Sequence, residues 1–370
     1  SKMRSMWVQT NGFTVFNTKQ VANEGRVVMM TNTPTAIWTV FRGANPIDHI
    51  TKYTGAANAR MKPLPRWACD GVILEVSGGI DQVTQQWNAF ESTQIKVAAM
   101  VIRDWSGMRT TSSLKTQVPW WTMEADPQLY NAWHSFVNNA TTERKKIILY
   151  LTPYLNDVES CGKSTFKSNY FKYARDAMCL VRDSNDQPFM QQHWETAMPY
   201  ATVDVTRKEC STWLYRVIRN ELARGFANRS VVGFALEGGE TAPCEGSYFS
   251  ANGGSSSDPS STMRVHNSFP EYMARWAVDA LKQTQISNWV VWTRALSPGV
   301  PGIVPLISMG EQMTSWDGYD GLRSVLNGIL SVGLSGFSAV HSDLGGHRVV
   351  HLPFFINRER EEELLCRWVE

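Results

Sequence analysis

After the segment MKPLPRW (61–67), short apolar runs alternate with longer segments in which apolar residues recur every three or four positions. Short buried strands alternating with amphipathic helices are the mark of βα units around a parallel sheet. Strands are predicted at 71–76 (GVILEV), 96–105, 145–155, 231–239, 289–295, 304–311 and 336–343. Helices are predicted at 80–93, 126–139, 210–226, 268–284 and 319–333, with a further helical stretch inside 356–368. Upstream, from Trp7 to Phe41, β-rich runs broken by Asn, Gly and Thr-Pro predict antiparallel strands and no helix. The expected architecture is an α/β (β/α)8 TIM barrel over 63–370, preceded at 1–62 by the C-terminal part of an N-terminal β-sandwich domain. Seven strands are one short of a closed barrel, and an open sheet edge is costly. The barrel is therefore expected to be truncated before its last strand, in a piece of a longer protein.

Composition narrows the function. The chain has 370 residues, 43% of them hydrophobic and 19% charged, with 15 Trp. Apolar material is ample, and the surplus of aromatics suits an aromatic-lined cleft. A formal net charge of +2 and no basic run longer than Glu143–Lys146 argue against nucleic acid as a partner. The longest apolar stretches are too short to span a membrane, and the opening residues have no signal-peptide layout. Six cysteines (Cys69, Cys161, Cys179, Cys210, Cys244, Cys366) form no C-x-x-C pair, against a zinc ribbon or a thioredoxin-like site. Two glycosylation-type triplets, beginning at Asn139 and Asn228, lean toward the secretory pathway or the extracellular space. The Ser/Gly-rich stretch 244–264 reads as a mobile surface insertion.

In a parallel barrel the active site gathers at the C-terminal strand ends. Charged residues recur there: Asp104 after the second strand, Glu237 and Glu240 after the fourth, Arg294 after the fifth, Glu311 after the sixth and Asp343 after the seventh. Any one acid has an ordinary explanation as a helix cap. Several at one rim supply what glycosidic hydrolysis requires, one carboxylate to attack or stabilise the sugar cation and a second carboxyl to protonate the leaving oxygen. Trp105, Trp120, Trp121 and Trp292 are expected near the same rim, either facing sugar rings or packing the barrel against its loops. His341 and His347 flank Asp343 in HSDLGGH, a poor frame for a metal, and neither a nucleophile elbow nor a phosphate-cradling glycine loop is present.

Five separated stretches, in order, carry a family resemblance: IRDWSGMRTTS, GFALEGGETAP, HNSFPEYMARWAVDAL, WTRALSPG, and GEQMTSWDGYDGLRSVLNGILSVGLSGFSAVHSDLGGH. From about Leu64 to the C-terminus the chain resembles glycoside hydrolase family 31, most of all its sulfoquinovosidase branch. The resemblance implies a retaining, exo-acting α-glycosidase, a barrel flanked by β-sandwich domains, a carbohydrate substrate and no cofactor or metal. It places the family's nucleophile on Glu237 and its general acid/base on Glu311, with Arg103, Asp104, Trp105, Glu240, Arg294, His341 and Asp343 around the sugar. The family's last barrel histidine and its C-terminal domains are expected beyond Glu370.

Three departures stand out. Both catalytic aspartates of the family are glutamates here, so each carboxyl reaches roughly 1.3 Å further, and a misplacement of about 1 Å can cost on the order of a hundredfold in rate. Gly238 stands where the family has Phe and is expected to leave room for a compensating backbone shift. The sulfonate-gripping Gln, Arg and Trp of the branch read Arg103, Thr116 and Pro119. Arg103 suits an anionic substituent or a neighbouring acid equally. Two functions stay open on these grounds: a working glycosidase, and a catalytically impaired homologue that binds carbohydrate or a partner.

Overall fold

Alternation along seven parallel strands decides which side chains face the centre of this molecule. The computed structural model describes residues 3–9, 14–21, 24–31, 35–110, 117–192, 198–222, 230–250, 260–284, 286–347, 351–352, 356–357 and 361–370. The strands are β1 (Val72–Val76), β2 (Val97–Ile102), β3 (Ile147–Leu151), β4 (Val231–Leu236), β5 (Val290–Thr293), β6 (Leu306–Ser308) and β7 (Val340–His341). Each pairs in parallel with its sequence neighbours, so spatial order equals chain order. All seven fall inside the predicted windows. The helices α1 (Gly79–Glu91), α2 (Trp133–Thr142), α3 (Lys208–Leu222), α4 (Phe269–Lys282), α5 (Leu322–Leu334) and α6 (Glu362–Val369) also overlap their predictions.

One set of side chains, including Met100, Ile102, Leu149, Leu151, Phe234 and Val291, joins the helices in the main core. The alternate set, Ala99, Val101, Ile148, Val232, Ala235, Val290, Trp292 and Leu306, forms a second cluster inside the curved sheet. A register shift between Val231 and Gly233 moves β4 by one residue. Ala235 thereby comes into the inner set along with Val232.

Where boundaries differ from expectation, local chemistry explains it. The helix expected from 126 begins at Trp133, because the Asp126 carboxylate accepts from the backbone N–H groups of Gln128 and Leu129 and holds a turn there. The strand expected over 145–155 breaks at Pro153, which has no N–H for the ladder. Tyr154–Leu155 instead pairs with Pro199–Thr202 in a three-stranded sheet of an insertion between β3 and β4. The stretch 244–264 is not simply a surface loop. Ser247–Tyr248 pairs with Arg182–Asp183, Phe249 is buried, and Ser260–His266 is helical, while residues 251–259 lie outside the described residues. Phe249 packs on Phe269 of α4 with centroids 5.3 Å apart, and Arg182 of the insertion lies over the Tyr248 ring, so ring contacts outweigh the polar composition of this stretch.

The N-terminal strands are antiparallel, as expected: Met3–Gln9 with Ile37–Gly43, and Thr14–Val21 with Glu24–Thr31. A helix at Pro46–Ala56 follows, with Pro46 in its first turn and the Asn45 side chain accepting from Asp48 N at 2.9 Å. A buried disulfide joins Cys179 of the insertion to Cys210 of α3, a pairing no spacing rule announced. Among the described residues, no helix is long and apolar enough to cross a membrane.

Gly233 sits where β4 and β5 approach closely, and a Cβ there would collide with the backbone carbonyl of Val290. Gly233→Ala is expected to lose about 1–3 kcal/mol or more of stability, read as a lower denaturation midpoint in urea.

Candidate active site

The inner-face rhythm of the strands continues past their ends and assembles the site. Glu75 lies on β1, Arg103 follows the inward Ala99 and Val101 of β2, and Tyr150 follows Ile148 on β3. Glu237 follows Ala235, and Arg294 follows Val290 and Trp292. The backbone N–H of Glu237 donates to Leu151 O at 3.0 Å, carrying the β3–β4 ladder one residue further and fixing where this carboxyl begins. Glu311 stands three residues beyond β6, on a loop held by Met309 N to His341 O (2.9 Å), Gln312 Nε2 to Met309 O (2.6 Å) and His347 N to Gln312 O (2.7 Å).

Two arginines knit these acids together. Arg103 Nη2 donates to Glu311 Oε1 at 3.2 Å, and Nη1 lies 3.6 Å from Glu75 and 3.0 Å from His347 Nε2. Its guanidinium also lies over the Tyr150 ring, 5.4 Å from the centroid. Arg103 thus meets two neighbouring acids, Glu75 and Glu311. Arg294 donates from Nε to Glu240 at 2.7 Å and reaches toward Glu311 at 3.9 Å. Burial works against the charge of both arginines, and the surrounding acids outweigh it, so both remain cationic.

Burial raises the pKa of Glu237 above the ordinary 4.5, opposed by Arg103 and Arg294, with the nearby Glu311 adding to the rise. Tyr150 hydrogen-bonds this carboxyl, and its own pKa rises through burial and the charge of Glu237. His341 packs edge-on against Trp292 with centroids 5.0 Å apart; burial pushes its pKa down to about 4 against the pull of Asp343, which keeps it neutral at neutral pH. Burial also pulls on His347, but its hydrogen bond to Asp343 (2.7 Å) and the charge of Glu311 prevail over Arg103 and raise its pKa above 6.5.

Arg103, Glu237, Glu240, Arg294, Glu311 and Asp343 are thus brought into one network, with His341 beside it. Asp104 and Trp105 turn elsewhere. Asp104, on the opposite strand face and 1% exposed, accepts from Gly78 N at 2.7 Å and from the Tyr130 hydroxyl. Trp105 is buried against Trp133 and donates to Tyr150 O at 2.8 Å. Trp120, Trp121 and Trp292 are buried as well. Glu75, Tyr150 and His347 enter the network without having been singled out for it; period-two alternation offered a signal for the first two, and HSDLGGH for the third. Pro119 lies buried in a short strand, and Thr116 falls outside the described residues.

The space beside Gly238 is already occupied. Gly238 has φ 92°, and a Cβ there would lie 2.6 Å from three atoms of the Tyr154 ring and hydroxyl. Tyr154 donates to Gly238 O and meets the Thr241 hydroxyl, and Trp121 and Tyr200 pack around its ring. The room expected from the missing Phe is filled by a tyrosine from the insertion. The backbone after Glu237 is pinned rather than loose.

Gly238→Ala is expected to lower the unfolding free energy by more than about 1 kcal/mol, since a left-handed conformation alone costs about 1–2 kcal/mol for a residue with a Cβ. Adding Tyr154→Ala recovers only the collision, so the double variant stays less stable than Tyr154→Ala alone in the same denaturation assay. The raised pKa of Glu237 carries a sign for stability: the folded state favours its neutral form, so its stabilising effect is complete below the unfolded pKa and is lost as pH rises through the folded one. Glu237→Gln is therefore expected to melt above the parent at pH 7, with the gain vanishing below about pH 4.5.

Residues 61–370 match the family described as glycosyl hydrolases family 31 TIM-barrel domain. A sulfoquinovosidase from Escherichia coli (strain K12) is 27% identical over 318 residues, covering 84% of this chain and 42% of that protein. Another, from Agrobacterium fabrum, is 23% identical over 312 residues, again 84% of this chain and 42% of that protein. A solved GH31 family sulfoquinovosidase from E. rectale, in complex with the aza-sugar inhibitor IFGSQ, superimposes with a TM-score of 0.82 at 21% identity over 99% of this chain and 50% of its own. The chain thus spans half or less of the length of these relatives, and the structural likeness is one of fold. The chain belongs to glycosyl hydrolase family 31, and its seven parallel strands are those of the family's TIM barrel.

Proposed function

We propose that this barrel is the catalytic part of a retaining exo-α-glycosidase that hydrolyses a terminal α-linked sugar, an α-glucoside or an anionic analogue such as a sulfoquinovoside. In this reading 63–370 is the catalytic unit and 1–62 ends a β-sandwich domain. Glu237 attacks the anomeric carbon, Glu311 protonates the leaving oxygen, and Glu311 then deprotonates the water that releases the sugar. The observation that carries the reading is the convergence of Glu237 and Glu311 on the same two arginines at the carboxyl rim of the barrel. Arg103 and Arg294 keep enough positive charge beside Glu237 to oppose its desolvation, as a nucleophilic carboxylate requires. Arg103, with Glu75 and His347 beside it, is the candidate determinant for an anionic substituent. Similarity to sulfoquinovosidases supports that substrate class.

A second reading, a carbohydrate-binding homologue with impaired turnover, is favoured by the same raised pKa, which biases Glu237 toward the form that cannot attack. Hydrolysis of neutral and anionic aryl α-glycosides separates the two. Turnover is expected, with Glu237→Gln and Glu311→Gln each lowering kcat/KM by at least about a thousandfold. Its acid limb should lie above the pH of an ordinary carboxylate, because Glu237 must ionise. Hydrolysis unchanged in both variants refutes the assignment, and sugar binding without turnover in the parent selects the second reading.

A further inference from the structure

The Asp343–His347–Glu311 line is not accounted for by the roles above. His347 Nδ1 lies 2.7 Å from an Asp343 oxygen, which only accepts, so Nδ1 carries a proton. Nε2 lies 3.0 Å from Arg103 Nη1, which only donates, so in the neutral ring Nε2 is an acceptor. The same Nε2 is 3.4 Å from Glu311 Oε1. A backbone bond from His347 N to Gln312 O (2.7 Å) ties the two loops together, so ring and carboxyl keep their relation. Among the described residues, the charged groups facing the ring are Asp343 on its own loop, Glu311 after β6 and Arg103 after β2. Behind them, Glu75 and Glu237 act on Arg103, and Arg294 acts on Glu311.

We propose that His347, oriented by Asp343, is a positioning residue that shares the working proton of Glu311, so that the two titrate as one unit. One proton serves two arrangements of equal proton count: imidazolium beside carboxylate, and neutral imidazole beside carboxylic acid. Passing the proton from Nε2 to Oε1 neutralises both groups and frees Nε2 to accept from Arg103. Passing it back restores the ion pair and turns Arg103 toward Glu75. The acid is thereby recharged from inside the site, with Asp343 keeping the second ring nitrogen protonated throughout. The pKa of His347 is raised despite its burial, in keeping with a ring held between two acids.

The proposal rests on the assignment of Glu311 as acid/base, but its test does not need turnover. The histidine side-chain resonances of the 370-residue chain are titrated by NMR across about pH 5–9, with His347→Gln identifying the signal. The parent midpoint is expected above 6.5, falling by about one unit or more when the facing carboxylate is removed in Glu311→Gln. Asp343→Asn, on the other side of the ring, gives a second and independent fall. A midpoint unmoved by Glu311→Gln overturns the proposal, whatever the activity. A shifted midpoint in a parent that hydrolyses nothing upholds proton sharing and fails the glycosidase reading instead. Where the parent turns over, His347→Gln should cost about tenfold more in kcat/KM for aryl glycosides with poor leaving groups than for activated ones; equal losses overturn the shared proton.

Discussion

Charge compensation at one rim of the barrel is the constraint on which the site depends. Glu75, Glu237, Glu240, Glu311 and Asp343 converge where the inner faces of the strands end, and among the described residues Arg103, Arg294 and His347 stand between them, with His341 beside Asp343. Breaking the largely buried Arg103–Glu311 pair from one side leaves an uncompensated charge in a poorly solvated place, which costs more than the pair itself stabilises. Arg103 in particular belongs to no single partner. It meets Glu75, Glu311, His347 and the face of Tyr150 at once, so any change in one of them alters the pull on the others.

Much of this was legible in the sequence because period-two alternation is a strong signal in buried parallel strands. The seven strand windows were recovered, and the charged residues read after the fourth, fifth, sixth and seventh strands lie together at the rim, whereas Asp104, read after the second, does not. The same alternation explains what pattern reading ran together. Arg103, Asp104 and Trp105 are consecutive, but consecutive residues leaving a strand point to opposite faces. Only Arg103 continues the inner row, while Asp104 turns to Tyr130 and Gly78 and Trp105 to Trp133. Reading strand ends by parity rather than by proximity separates them.

Other features were illegible for physical reasons. The Cys179–Cys210 pair joins an insertion to a helix across 31 residues, and linear spacing says nothing of that meeting. His347 stands six residues after His341 in one motif. Its role depends on a backbone bond to Gln312 and on a ring orientation that only the folded loop defines. Tyr154 lies just past a strand broken by proline, and its contact with Gly238 spans 84 residues of chain.

That contact has a consequence for how this sequence can change. Placing a Phe at position 238 requires space that the Tyr154 ring already fills, and a residue with a Cβ at φ 92°. The tyrosine must be reduced before the glycine can be enlarged, whereas the opposite order passes through a destabilised intermediate. Position 238 is therefore locked by its contacts: the residue after Glu237 cannot be enlarged alone, and its neighbours in the insertion decide which mutational paths stay open.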